Sequence, residues 1–367
     1  MTINPNPQNG AAAKSAEIDP FESAIRATLD NPPPAFSETD AQRILGDVFG
    51  FAATAKLTTG ERDQNFGIVR DDGTKFVLKI ANSAENLDVL DFQNQELEAV
   101  RRLQPDVPAS RLVPATDGAL LTRYVSDGLT YGVRLLTYLD GMPQARCSAS
   151  KPGIRRDIGR ISAALGSALS TVHHTAADYP LLWDMKHAGR LRRFESAISD
   201  PSERAIVARV LQRFESSVRP ALDDLPWQPI HNDLNRNNIL MQDVDSERIS
   251  GIIDFGDSVY SPRVIDVAVT TAHQIYDQND PIQAACEMIS AYHAVVPLQD
   301  AELSVLVDLI TTRLMMRLAI KGWRYSTYPD RAEYYEPSLD RPYLDTVERL
   351  LADRDRSTDC FRQACRP

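Results

Sequence analysis

Two short segments of this chain carry residue types at a spacing suited to phosphoryl transfer. His231-Asn232-Asp233-Leu234-Asn235-Arg236-Asn237-Asn238 fits the pattern H-x-D-x-x-x-x-N. In that pattern the Asp accepts the proton of a substrate hydroxyl and the Asn holds Mg2+. Downstream comes Asp254-Phe255-Gly256, whose Asp would hold the metal that bridges the nucleotide phosphates. The step from Asp233 to Asn238 lets one tight loop aim a base at the acceptor oxygen while a second side chain turns back to the metal. The interval before Asp254 accommodates a short hairpin, residues 239–241 and 249–253, with both metal ligands at its base. Asp-Phe-Gly alone reads equally as a turn after a buried strand. Both segments together, in this order and spacing, are far harder to reach by chance.

Phosphoryl transfer needs charge neutralisation and in-line positioning more than covalent help. A cation is therefore required for the α- and β-phosphates. Lys79, in the alternating strand Phe76-Val77-Leu78-Lys79-Ile80, is placed like the strand lysine of V-A-I-K. Its acidic partner is expected on the helix that follows; Glu96 is the choice, with Glu98 and Glu85 as rivals. The turn covering the nucleotide should lie between the first two strands, at residues 58–66. It lacks G-x-G-x-x-G, so backbone amides and the short polar side chains of Thr59 and Asn65 would have to serve the phosphates.

These residues need a scaffold, and the pattern along the chain supplies one. Residues 1–35 read as a flexible amino-terminal tail with at most one short helix (21–29) before Pro32-Pro33-Pro34. Ser37 with Asp40 resembles a capping box opening a helix through Phe49. Strands follow at 64–69 and 74–80 around Asp71-Asp72-Gly73, then a helix at 85–103 and strands at 119–125 and 131–139. From Ile154 the spacing turns helical, with Ile154, Ile158, Ile161, Leu165, Leu169 and Val172 on one face. Further helices are expected at 186–199, 203–222, 262–276, 282–293, 301–321 and 330–351. The expectation is an α+β fold of two lobes: a small β-rich nucleotide-binding lobe (36–140) and a larger, mainly helical catalytic and acceptor-binding lobe (141–355). A polar carboxy-terminal tail (356–367) would follow.

Composition narrows the partners. A formal net charge of −11 argues against nucleic acid, since phosphate neutralisation demands a basic surface. It is compatible with a cationic small substrate. No apolar run approaches a membrane span, and the amino terminus lacks a secretory apolar core. Four cysteines without CxxC spacing point to free thiols in a reducing cytoplasm.

With these residues in hand, the chain resembles the aminoglycoside phosphotransferase/choline kinase superfamily, and within it the hydroxylysine kinase group. The finer match rests on Asp63-Gln64-Asn65-Phe66, on Val133-Arg134-Leu135-Leu136-Thr137-Tyr138-Leu139-Asp140-Gly141 and on the Asn-rich loop at 231–238. It runs from about residue 37 to 350. The resemblance implies a protein-kinase-like bilobal fold, with Asp233 as base, Asn238 and Asp254 as metal ligands, and Lys79 on the phosphates. The backbone of residues 136–139 (Leu136, Tyr138 and Leu139 among them) would meet the purine. Trp183, Asp184 and Arg313 would line the acceptor pocket. It also implies a small amine-bearing alcohol such as 5-hydroxylysine as acceptor, ATP or GTP as donor, and Mg2+. Two departures stand out: Asn232 replaces the glycine common before the catalytic Asp, and Asn235 replaces a frequent histidine.

Overall fold

The computed structural model describes residues 20–31, 33–58, 60, 62–147, 150–329 and 340–366. Helices α1 (Pro20–Leu29) and α2 (Glu38–Phe49) precede an antiparallel sheet of β1 (Thr54–Thr58), β2 (Gln64–Val69), β3 (Lys75–Ile80), β4 (Leu112–Val113), β5 (Thr122–Ser126) and β6 (Leu129–Thr137). The helix α3 (Leu87–Leu103) follows β3. Strand order is β1-β2-β3-β6-β4, with β5 also paired to β6.

The capping box at Ser37 closes as expected: Ser37 Oγ accepts from the Asp40 amide and the Asp40 carboxylate accepts from the Ser37 amide. Behind it, Ala41, Ile44 and Leu45 pack on Phe66, Ile68, Phe76, Leu78, Val133 and Leu135. Burying each large aliphatic side chain here stabilises by about 1.5–3 kcal/mol. Because side chains alternate along a strand, burying these residues sends their neighbours to the opposite face. Asn65 pairs with Lys79, and Lys79 with Arg134, in one cross-strand row. The apolar pattern of the small sheet therefore aims Lys79 into the cleft.

The second lobe begins with β7 (Met142–Pro143) and α4 (Pro152–Leu169). Gly141, just before β7, has φ 147°, and a Cβ there would collide with the Met241 carbonyl; the lobe junction thus needs glycine. After α4 comes a 3-10 helix, Met185–Ala197, in place of the expected α-helix. The reason lies in its sequence. Met185, Ala188, Leu191 and Phe194, all buried, recur every third residue, which matches three residues per turn rather than 3.6.

Helix α5 (Pro201–Arg213) continues through a wide turn at Phe214–Val218 into α6 (Arg219–Leu222). Two small sheets follow, β8 (Trp227–Ile230) with β11 (Val259–Pro262), and β9 (Ile239–Met241) with β7 and β10 (Ile249–Ile252). The helices α7 (Arg263–Ile275), α8 (Pro281–His293), α9 (Asp300–Thr327), α10 (Asp340–Ala352) and α11 (Arg354–Ala364) complete the lobe. Among the described residues no helix is long and apolar enough to cross a membrane. The fold is the expected α+β one, a sheet-based small lobe and a helical large lobe.

Both chain ends depart from expectation. Residues 20–29 are not a free tail: Ile25 is buried in the large-lobe core, Phe21 meets His187 edge-on at 5.0 Å, and Glu22 pairs with Arg193 at 3.3 Å. Two apolar residues four apart suffice to dock so short a helix. Likewise residues 356–366 are no polar tail. Ser357, Thr358 and Phe361 of α11 are buried, as is Cys365 just after it. Arg354, at the first position of α11, donates to buried Asp308, which Arg213 also holds at 2.7 Å. Leaving Asp308 without them would strand a buried charge.

Candidate active site

The expected catalytic loop runs from β8 to β9 and is pinned from below. Asn232 takes φ 63°, a left-handed conformation that Asn tolerates better than most residues and glycine adopts freely. Its amide donates to Asp266 Oδ1 at 2.8 Å, so the acid at the start of α7 braces the loop. Asn235 and Arg313 donate to Asp233 Oδ1 at 2.9 and 3.0 Å, and Asn238 donates to Oδ2 at 2.8 Å. Despite the Arg313 guanidinium, burial pushes the Asp233 carboxyl up to about 7, with the Asp257 and Asp254 charges adding to the rise.

Across the cleft, Asp254 also takes φ 63° and accepts from the Gly256 amide at 3.2 Å. Lys79 Nζ lies 3.6 Å from its Oδ1. That ammonium, assisted by Arg62, outweighs partial loss of hydration in the cleft and holds the carboxyl down to about 2. Two carboxylates in one cleft thus differ in proton affinity because their neighbours differ. Asp254 stays ionised and, with Asn238, offers hard oxygen donors of the kind Mg2+ and Ca2+ accept, phosphates supplying further ligands. Among the described residues no set of three or more His, Cys, Asp or Glu converges as a stand-alone metal site.

Asp233, Asp254, Lys79 and Asn65 line one hollow of about 190 Å³ together with Arg62, Asp63, Glu85, Gln93 and Asp257. Larger hollows open between α5, α9 and α10 and between α8 and α11, but neither holds a motif residue. Thr59 lies outside the described residues. Leu136 is buried behind the lobe junction. The Tyr138 amide donates to the Lys75 carbonyl at 3.3 Å and its ring sits 5.3 Å from Lys75 Nζ; Leu139 packs by Gly251.

Two expected placements are corrected. Glu96 does not meet Lys79. It is fully buried beside Ser258 and Asp266, and desolvation drives its carboxyl well up. The acids facing Lys79 are Asp63, at 3.8 Å, and Asp254. Asp184 does not line an acceptor pocket either: it is buried, caps the 3-10 helix at Lys186 and pairs with Lys186 Nζ at 2.6 Å. Trp183 and Arg313 do belong together, since the guanidinium lies 4.8 Å from the indole centroid and donates to the Trp183 carbonyl at 3.1 Å.

Sequence reasoning passed over Asp63, Arg62, Gln93 and Asp257. Arg62 reaches from the β1–β2 turn to Asp257 at 2.6 Å. Gln93 accepts from Arg134 at 3.0 Å and donates to the Gly256 carbonyl at 3.3 Å. The signal for Asp63 and Asp257 was their adjacency to Asn65 and Asp254 within motifs already noted.

The cleft sets a half-buried carboxylate, Asp233, near Asp254 and the strand lysine that faces it, an arrangement suited to phosphoryl transfer. The chain belongs to the phosphotransferase enzyme family, whose match spans residues 55–297. It is similar to hydroxylysine kinase from Mus musculus, 29% identical over 323 residues that cover 82% of this chain and 86% of the relative. Among solved structures it shares its fold with the microcompartment-associated aminopropanol kinase (TM-score 0.64, 18% identity, 89% of this chain and 99% of that one). The amicoumacin kinase complex with AMP-PNP, Ca2+ and Ami is a second such neighbour (TM-score 0.61, 13% identity, 88% and 94%). The protein is a small-molecule kinase that phosphorylates a hydroxyl group.

Proposed function

We propose that this enzyme transfers the γ-phosphoryl group of ATP or GTP to the hydroxyl of a small amine-bearing alcohol of the hydroxylysine type. The observation that carries the chemistry is the cleft geometry: Asp233 held by Asn235, Asn238 and Arg313, and Asp254 facing Lys79 at 3.6 Å. As the acceptor oxygen attacks the γ-phosphorus, its proton passes to an Asp233 carboxylate oxygen, the bond from phosphorus to the β-bridging oxygen breaks, and the nucleoside diphosphate leaves. Arg313 and Asn235 keep Asp233 oriented. Lys79 neutralises the phosphates, exchanging its present acids for them, and the β1–β2 turn, Thr59 and Asn65 included, covers them. Residues 136–139, including Leu136, Tyr138 and Leu139, meet the purine.

Asp254 and Asn238 would hold Mg2+, which supplies charge neutralisation to the developing phosphate oxygens. The amine in the acceptor is supported by the hydroxylysine kinase relative and by the acids around the cleft, Glu85 and Asp257. Four free cysteines fit work in a reducing cytoplasm.

The test compares kcat/KM for hydroxylysine, homoserine, choline, ethanolamine and kanamycin, each with ATP and with GTP. Hydroxylysine should lead the panel. A preference for kanamycin, or for an added alcohol without an amine such as glycerol, would overturn the acceptor while leaving the phosphotransferase.

A further inference from the structure

Beside the phosphate cleft lies a second hollow of about 70 Å³. Arg62, Glu85 and Asp257 line both, so the two spaces adjoin. The second is closed by Tyr179 and Trp183 on one side and by Ile25 of α1 on another. Trp183 ties it to the candidate base, because Arg313 stacks on its ring and donates to Asp233. The acids at the shared boundary differ. Asp257 is taken by Arg62 at 2.6 Å. Glu85 is partly buried and, unlike Asp257, forms no close ion pair among the described residues; Arg62 and Arg134 act on its charge from farther off, and Arg324 also lines the hollow.

We infer that this hollow is the acceptor chamber, that Glu85 receives the acceptor's ammonium group, and that α1 is the outer wall, with Ile25 limiting acceptor length. The inference rests on the amino-alcohol reading above and deepens it. A carboxylate with no close ion-pair partner at a cleft edge is open to an incoming ammonium, which gives it a charge-assisted hydrogen bond. The Tyr179 ring offers quadrupole attraction to the same cation, and the Trp183 ring, on which Arg313 already stacks, adds apolar wall. Ile25 presents an aliphatic wall, held by contacts remote from the chamber: Glu22 to Arg193 and Arg26 over Trp323. A chamber this small selects a short carbon chain and excludes a multi-ring acceptor.

Steady-state kinetics of the full chain test this, with the nucleotide KM as a check that each variant is folded. Glu85→Gln should raise the KM of the preferred amino-alcohol about tenfold or more, with the nucleotide KM changed less than about twofold, as loss of one charged partner requires. Ile25→Trp should likewise raise the acceptor KM. Ile25→Ala should improve kcat/KM for an amino-alcohol longer by one or two methylenes by about tenfold relative to the parent acceptor. Acceptor KM values within twofold of wild type in all three variants, or nucleotide KM values rising as steeply, would overturn the inference. If the wild type phosphorylates only alcohols without an amine, the amino-alcohol reading falls and Glu85's part with it. The role of Ile25 is then judged on whichever alcohol is turned over.

Discussion

The loop around Asp233 and the turn around Asp254 make an instructive pair. Both follow a short strand, both place a non-glycine residue at φ 63° (Asn232 in the loop, Asp254 itself in the turn), and both present an aspartate to one cleft. Yet burial dominates at Asp233 and a lysine dominates at Asp254, so one carboxyl rises to about 7 and the other falls to about 2. Residue type alone does not assign a role here. The balance of desolvation against the neighbouring cation does.

Removing one aspartate at a time separates the two most strongly. Asp233→Asn should cost about 10²–10⁴-fold in kcat, the worth of a positioned proton acceptor, while nucleotide binding measured by calorimetry persists. Asp254→Ala should lower kcat by a comparable factor and, in addition, abolish the dependence of nucleotide affinity on divalent metal. Equal metal dependence in the two variants would erase the distinction drawn above.

Changing a neighbour instead sharpens it. With Asp233 at about 7, the base is protonated below that pH, so kcat/KM should fall toward acid with its limb near 7. Arg313 opposes the rise, so Arg313→Gln should move the limb to higher pH and lower kcat/KM about tenfold near neutrality through lost orientation. A pH profile unmoved by the substitution would detach Arg313 from the base.

The smallest effect is expected where the lysine's partner was misplaced. Glu96→Gln should leave the nucleotide KM within about twofold of wild type, because the side chain is buried away from Lys79 and an isosteric amide leaves the packing intact. Asp63→Asn should shift it more. The reverse order would restore Glu96 as the partner.

These cases show what was legible in the chain. The placement of Asp233, Asn238 and Asp254 around one hairpin was legible because it depends on covalent spacing. Lys79 was legible because strand alternation assigns its face. Its acidic partner was not, because helical spacing tells which side of α3 is buried but not what the buried side meets. Asp184 failed for a similar reason: next to Trp183 in sequence, it turns inward to Lys186 while the indole turns to Arg313. The docked ends were missed because only a few apolar residues anchor each, Phe21 and Ile25 in one and Phe361 and Cys365 in the other. The three-residue spacing of Met185, Ala188, Leu191 and Phe194, by contrast, is a signal that the sequence itself carries.

The shared φ of 63° at Asn232 and Asp254 also bears on how freely each position can drift over generations. At Asn232 the backbone needs only tolerance of the left-handed region, and glycine supplies that at the loss of one side-chain bond to the Asp257 carbonyl at 3.2 Å. Exchange between Asn and Gly is therefore open to neutral change, while a β-branched residue would pay strain of about 1–3 kcal/mol. At Asp254 the same geometry admits Gly and Asn as well, but each sacrifices the negative charge. Two positions with one backbone shape thus face unequal evolutionary latitude: the first is a site where lineages can diverge silently, the second one where they cannot.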